Sequence, residues 1–390
     1  DIPDEEPKTE QTVQEARTIG CFQIESPGMR ATLREIKART QEDIMAALAL
    51  YRPGPLHGGL RDAFVRRFRG EEPVTHIHSS LEKLLENTLG VILYQEQVLR
   101  IAHELGGLSI TQADILRRAM SHFDPGGVMV SLRRNFIDGA AIRHKVPQEI
   151  AEKIWEMMAA FAGYGFPKAH AASYAQLAWQ SAWCKTHFPA EFMSAVLGFG
   201  GGYYSQQVYL MEARRLKLPL HPPHINHAHE RFSVKYPKGK PALYMGLGQV
   251  RDLTHQTIAA ILREQPFQSL DDFILRVDPQ RKEVQNLIKC GALEGLISIP
   301  EGLHRIEHQR PPGQMALFSS KPAEADWGIE QKLEAQREIL GANLSMTLLE
   351  LHADEIQSAG ALNTLQAQDH IGERIKVAGM RQIFRRLRSR

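Results

Sequence analysis

The 390-residue sequence has only three cysteines, Cys21, Cys184 and Cys290. They lie far apart and are odd in number, which argues against a disulfide framework or a CxxC zinc site and favours a reducing compartment, the cytoplasm. No run approaches 18 consecutive apolar residues, so no membrane span is expected. The first ten residues carry Asp1, Asp4, Glu5, Glu6 and Glu10 instead of a basic segment followed by an apolar one, so no signal peptide is expected. An initiator methionine is also lacking and the last run is basic, so the stretch reads as a piece of a longer chain. There is no internal repeat and no Walker A, GxSxG or HExxH motif, which removes the common phosphate-loop, serine-hydrolase and zinc-protease readings.

What is present is an ordinary globular composition, 43% hydrophobic and 24% charged. The length predicts two or three domains. A net charge of +2 conceals an uneven distribution. Residues 30–70 hold nine basic side chains (Arg30, Arg34, Lys37, Arg39, Arg52, Arg61, Arg66, Arg67, Arg69) against four acids. The last 19 residues hold seven against Glu373. Such patches suit a phosphate backbone, whose condensed counterions are released on neutralisation; solvated helix faces are the other reading.

The first 220 residues read as mostly helical. Apolar positions recur at helical spacing in Leu81–Leu84–Leu85–Leu89, Val98–Ile101–Ala102–Leu105 and Ile150–Ile154–Met157–Met158–Phe161. Breakers at 52–55, 124–127 and 163–167 punctuate them, and a glycine cluster at 198–202 and the turn His221-Pro222-Pro223-His224 close the block. Residues 230–248 read as short strands, from the alternation Phe232–Val234–Tyr236 and the turn at 237–239. Helices are expected again at about 250–265, 270–277 and 281–290. Residues 300–330 read as a polar, Pro-rich linker, and residues 374–383 alternate like the opening strand of a barrel.

Several constellations can carry chemistry. Arg117 and Arg118 are adjacent on an otherwise apolar helix, so their guanidiniums point about 100° apart and both can reach a polyanion lying along it. Alternatively one is solvated and the other pairs with Asp114. In the run from Tyr164 to Tyr174 a Gly/Pro turn delivers Lys168 and His170 to a helix start, where free backbone N–H groups favour an anion. A capped helix with a solvated lysine fits the same residues. The polar run Leu93-Tyr94-Gln95-Glu96-Gln97 reads as an ordinary helix start. His221, His224, His227 and His229 suggest a metal, but apart from Glu230 no Cys or carboxylate stands at ligand spacing and the segment is a proline turn. Asp271-Asp272 follows Ser269 at a helix start, where acids cap the helix without any catalysis.

Five segments together carry a resemblance. They are Thr18-Ile-Gly-Cys-Phe-Gln-Ile-Glu-Ser26, Leu50-Tyr-Arg-Pro-Gly-Pro55, Gly90-Val-Ile-Leu-Tyr-Gln-Glu-Gln97, Leu116-Arg-Arg-Ala-Met120 and Phe161-Ala-Gly-Tyr-Gly-Phe-Pro-Lys-Ala-His-Ala-Ala-Ser-Tyr-Ala175. In this order the chain resembles the bacterial C-family DNA polymerases, over nearly its whole length. The resemblance implies a mainly α fold: the end of a palm at 1–18, helical fingers at 19–220, a tandem helix-hairpin-helix region at 221–300, a clamp-binding linker and helix at 301–350, and the truncated opening of an OB-fold β-barrel at 370–390. It implies that Arg117, Arg118, Lys168 and His170 bind the triphosphate of an incoming dNTP, and that Arg52, Arg66, Arg67, Gly246, Gly248 and Arg251 serve primer-template DNA. Tyr244-Met-Gly-Leu-Gly-Gln-Val250 resembles the hairpin that grips a duplex backbone, but Arg251-Asp-Leu-Thr-His255 replaces the family's second Gly-rich turn. Gln314, Met315, Leu317 and Phe318 resemble the family's sliding-clamp motif.

The resemblance also implies what lies elsewhere. The palm aspartates that hold Mg2+ precede the family's fingers, and these residues contain no substitute for them, so this stretch alone is expected not to polymerise. The expected role is part of a replicative polymerase acting with a clamp and other replisome subunits. The alternatives are a non-catalytic DNA- and clamp-binding module, or part of an error-prone lesion-bypass paralogue.

Overall fold

The computed structural model describes residues 2–51, 59–121, 127–162, 166–227, 229–307, 325–344 and 346–379. The chain is mainly α-helical and divides into two compact units, Asp1–Pro189 and Ala190–Arg390.

In the first unit, α1 (Pro7–Gln14) and α3 (Gln41–Leu50) pack on a long helix that begins at Lys168, and α2 (Pro27–Ile36) packs on α3. Their starts are written in the sequence. Ser26 precedes Pro27 and accepts the Met29 N–H, while Thr40 and Asp43 exchange hydrogen bonds of 3.2 and 3.0 Å in a capping box. Between this group and the long helix the chain forms α4 (Leu60–Phe68), α5 (Gln95–Arg100), α6 (Ile110–Ser121), α7 (Val128–His144) and α8 (Gln148–Ala162). The long helix itself is α9 (Lys168–His187). It buries Ala171, Ala175, Ala178 and Ala182 along one stripe and packs on α3, which buries Ala46, Ala47 and Ala49. Small side chains on both helices let the backbones approach closely. Trp179 is wholly buried on the same helix and donates its indole N–H to the Pro3 carbonyl at 2.8 Å. Glu6 ties α1 to the end of α9 by accepting from Lys8 N–H, Thr9 N–H, Thr9 Oγ1 and His187 Nε2 at 2.7–3.1 Å. Desolvation opposes its ionisation, but these bonds outweigh it and hold the carboxyl at about 2.

α5 to α8 enclose a separate core that includes Leu81, Ile101, Leu116, Phe136, Ile154 and Met158. The helical spacings read at 98–105 and 150–161 fall in it; residues 101–105 form a π-helical turn continuing α5. Gly106 and Gly139 allow α7 to cross this turn at backbone contact. A Cβ on Gly139 would lie 1.9 Å from the Gly106 carbonyl oxygen.

The second unit opens with α10 (Pro189–Phe199) and α11 (Gln206–Arg215). Three short strands follow: β1 (Leu220–His221), β2 (Ser233–Lys235) and β3 (Ala242–Tyr244), in the order β1-β3-β2. β1 runs parallel to β3, with Leu220 beside Leu243, and β2 runs antiparallel, with Val234 beside Leu243. The strands expected within 230–248 are therefore present but short. Next come α12 (His255–Glu264), α13 (Leu270–Val277), α14 (Arg281–Lys289), α15 (Ile299–Glu307) and α16 (Ile329–Leu340). Ser269 caps α13 by accepting the Asp272 N–H at 3.1 Å, and Asp271 and Asp272 stand in its first turn, where acids suit the helix start. The linker reading of 300–330 is corrected at its start, because 299–307 is helix. Buried Ile299, Gly302 and Ile306 recur at helical spacing there, and the polar residues between them disguise the pattern. Residues 308–324 lie outside the described residues. Of the expected barrel opening, the described part is a parallel bridge between Leu362 and Val377; residues 380–390 lie outside.

One buried carboxylate joins α12 to α14. Glu283 accepts from Thr254 N–H, Thr254 Oγ1, Thr257 Oγ1 and Gln280 N–H, each at 2.8 Å. Burial disfavours its charge, yet these donors prevail and lower its pKa. The stabilisation is present above the ordinary glutamate value of 4.5 and is lost as pH falls below it. We expect Glu283→Gln to destabilise the second unit by about 2 kcal/mol at neutral pH, since an amide oxygen cannot serve four donors. The difference from wild type should shrink in urea titrations below pH 4.5. A constant gap across pH would contradict this account.

Candidate nucleotide and nucleic-acid interface

The interface is built from the joint between α5 and α9. Buried Tyr94 bridges Phe166 in parallel register, and Gln95 N–H donates to the Phe166 carbonyl at 3.0 Å. Gln97 fixes the approach: its Oε1 accepts Leu93 N–H and Tyr94 N–H, and its Nε2 donates to Thr88 Oγ1 at 2.6 Å. Burial pushes the Tyr94 phenol pKa upward and keeps it neutral. The run read from sequence as an ordinary helix start is thus the piece that seats the beginning of α9.

That seat changes the reading of the helix terminus. Both oxygens of Glu96 lie 2.9 Å from the Lys168 backbone nitrogen, so a carboxylate already stands where an anion was expected. The Lys168 ammonium sits 5.9 Å from the Tyr94 ring centre, and the lysine is exposed. His170 lies between the rings of Phe166 and Tyr174, with centroids 5.2 and 3.9 Å away. On α6, Arg117 reaches Asp114 at 3.0 Å and Gln95 Oε1 at 3.2 Å. Arg118 meets the other oxygen of Asp114 at 2.8 Å with its side chain 72% exposed. The hydrogen bond from Arg117 is the main cause holding the Asp114 carboxyl below its usual range. Both arginines therefore share Asp114. Arg117 and Lys168 are joined through the Gln95–Glu96 dipeptide, so the four residues read from sequence fall in one neighbourhood.

The residues read for duplex binding are more scattered. Arg52 lies outside the described residues. Arg66 is half exposed and pairs with Glu72 at 2.8 Å. Arg67 turns inward, bonding Glu72, the Leu89 carbonyl and Thr75 Oγ1 at 2.8–3.2 Å. Gly246 and Gly248 sit under residues 230–231: a Cβ on Gly246 would be 2.3 Å from the Glu230 carbonyl oxygen, which also accepts the Gly248 N–H at 2.9 Å. The Arg251 N–H donates to Ile339, and its side chain is exposed. Asp252 takes φ +62° in the turn that follows. Gln314, Met315, Leu317 and Phe318 lie outside the described residues. His221 stacks on Tyr244, and His224 on His227; among the described residues no three His, Cys, Asp or Glu side chains converge to hold a metal. Cys290 is buried, which pushes its thiol up to about 12 and leaves it unreactive.

Residues 1–144 match the family described as the bacterial DNA polymerase III alpha subunit finger domain, and residues 217–303 match the helix-hairpin-helix motif. The chain is 34% identical over 387 residues to DNA polymerase III subunit alpha of Campylobacter jejuni, covering 92% of this chain and 32% of that protein. The chain belongs to the bacterial DNA polymerase III alpha family. The Thermus aquaticus subunit is 39% identical over 307 residues, covering 75% of this chain and 24% of that protein. An error-prone DNA polymerase of Corynebacterium glutamicum is 33% identical over 389 residues, covering 96% of this chain and 36% of that protein. The chain thus spans about a quarter to a third of the length of these polymerase III alpha and error-prone relatives. Among the described residues no helix is long and apolar enough to cross a membrane.

Proposed function

We propose that this chain supplies the incoming-nucleotide and duplex-binding parts of a cytoplasmic template-directed DNA polymerase that adds dNMP to a primer 3′ end. The observation that carries the reading is the neighbourhood of Arg117, Arg118, Lys168 and His170 around Gln95–Glu96. Phosphoryl-transfer catalysis needs cations fixed where negative charge accumulates, and Arg117, Arg118 and Lys168 supply them. In this reading the Mg2+ ions are held by palm carboxylates outside these residues. Exposed Arg66 and Arg251, together with Arg52, support the duplex backbone; Arg67 supports it indirectly by bracing the 67–90 segment, and Gly246 and Gly248 shape the hairpin. Gln314, Met315, Leu317 and Phe318 contact the sliding clamp, with Leu317 and Phe318 as apolar anchors, and further replisome subunits complete the assembly. The reading spans replicative and error-prone members alike, because relatives of both names align at similar identity.

Primer-template affinity measured by fluorescence anisotropy at several salt concentrations tests it. Binding is expected to be weak, with log affinity falling linearly in log salt by about 0.9 per phosphate neutralised, and indifferent to base sequence. A flat salt response, or a clear preference for one sequence, would remove the duplex role.

A further inference from the structure

Asp114 stands between the two guanidiniums that the proposed function aims at a triphosphate. One oxygen receives Arg117 Nε and Nη2 at 3.0 and 2.9 Å, and the other meets Arg118 Nη2 at 2.8 Å. The two arginines are held very differently. Arg117 is 28% exposed and has Gln95 Oε1 as a further acceptor at 3.2 Å. Arg118 is 72% exposed, and its link to Asp114 spans one turn of α6. An exposed pair of this kind is weak, since water screens it and a long side chain loses rotamer freedom in making it. A polyphosphate brings more charge and more acceptor oxygens than one carboxylate, and binds guanidinium in the same forked geometry.

We propose that Asp114 is a positioning residue and an internal counter-anion: it aligns Arg117 and lends its second oxygen to Arg118 until a polyphosphate takes that arginine. This rests on the triphosphate reading of Arg118. Asp114 then has two opposed effects. It keeps the pair ordered and stops the two cations from repelling one another, and it also competes with the ligand for Arg118. A residue that only held α6 together would have the first effect alone.

The two roles separate in a calorimetric titration of inorganic tripolyphosphate into the chain and its variants, each also melted by circular dichroism. Asp114→Asn should lower the melting temperature yet bind tripolyphosphate about three- to tenfold tighter, the range expected when a weak competing ion pair is removed. Asp114→Ser should tighten binding in the same direction if the asparagine variant folds poorly. Arg118→Ala should weaken binding. Glu149→Gln removes an exposed acid of the same unit on α8 and should leave the affinity unchanged, which separates local competition from net charge. Unchanged or weaker binding by both Asp114 variants, or no binding by any protein, overturns the counter-anion role. Equal tightening by Glu149→Gln does the same. If Arg118→Ala weakens binding while the Asp114 variants do not tighten it, only the competition is wrong; if Arg118→Ala binds like wild type, the triphosphate reading itself is wrong.

Discussion

Trp179→Ala is expected to destabilise the first unit by about 3–5 kcal/mol, close to the whole stability of many domains. The indole is fully buried in the middle of α9, on the helix that α1 and α3 pack against. Its removal withdraws a large apolar surface, opens a cavity that the neighbouring alanines are too short to fill, and leaves the Pro3 carbonyl without its 2.8 Å donor. Trp183 provides the comparison one turn later. It is only half buried, resting against His187 and Phe188, so Trp183→Ala should lose much less. Urea unfolding followed by circular dichroism separates the two. A loss below about 1 kcal/mol for Trp179→Ala would mean that α9 is not the support of this unit.

The helices were legible where one sequence segment contains both the cause and the effect. Ser269 before Asp271-Asp272 announces a helix start, and Ser269 caps one in the structure; Thr40 with Asp43 and Ser26 before Pro27 are caps of the same local kind. The apolar spacings at 98–105 and 150–161 belong to the same class. What the sequence hid depends on partners far along the chain. Glu96 looked like a helix-start residue because its partner, the Lys168 N–H, is 72 positions away. Arg67 read as one more member of a basic patch, whereas the Leu89 carbonyl and Thr75 draw it inward. Glu283 showed nothing in its own neighbourhood of the two threonines that it holds. Gly139 is the sharpest case. Helix propensity favours alanine there by about 1 kcal/mol, and only the carbonyl of Gly106 explains the glycine.

The same contrast between local and distant causes sets the largest functional expectation. In a polymerase that carries its catalytic carboxylates, Arg118→Ala or Lys168→Ala should reduce nucleotide incorporation by about 10²–10³, by analogy with the loss of one preorganised donor to a developing oxyanion. Such a loss amounts to about 3–4 kcal/mol, well above what a surface ion pair supplies, because the contact acts as charge accumulates on the transferred group. Arg118 qualifies because, among the described residues, it is held only by a weak exposed pair to Asp114, and Lys168 because it is exposed beside the neutral Tyr94 ring. Neither change disturbs a buried contact, so folding and primer-template affinity should stay near wild type. Arg117→Ala should behave differently: with Asp114 and Gln95 both deprived of their partner, the joint between α5 and α6 loosens, and stability falls along with rate. Steady-state incorporation kinetics paired with DNA affinity and thermal melting on the same proteins distinguish these outcomes. Wild-type incorporation by both Arg118→Ala and Lys168→Ala would place the triphosphate elsewhere. A parallel fall in DNA affinity would instead assign the two cations to the template backbone.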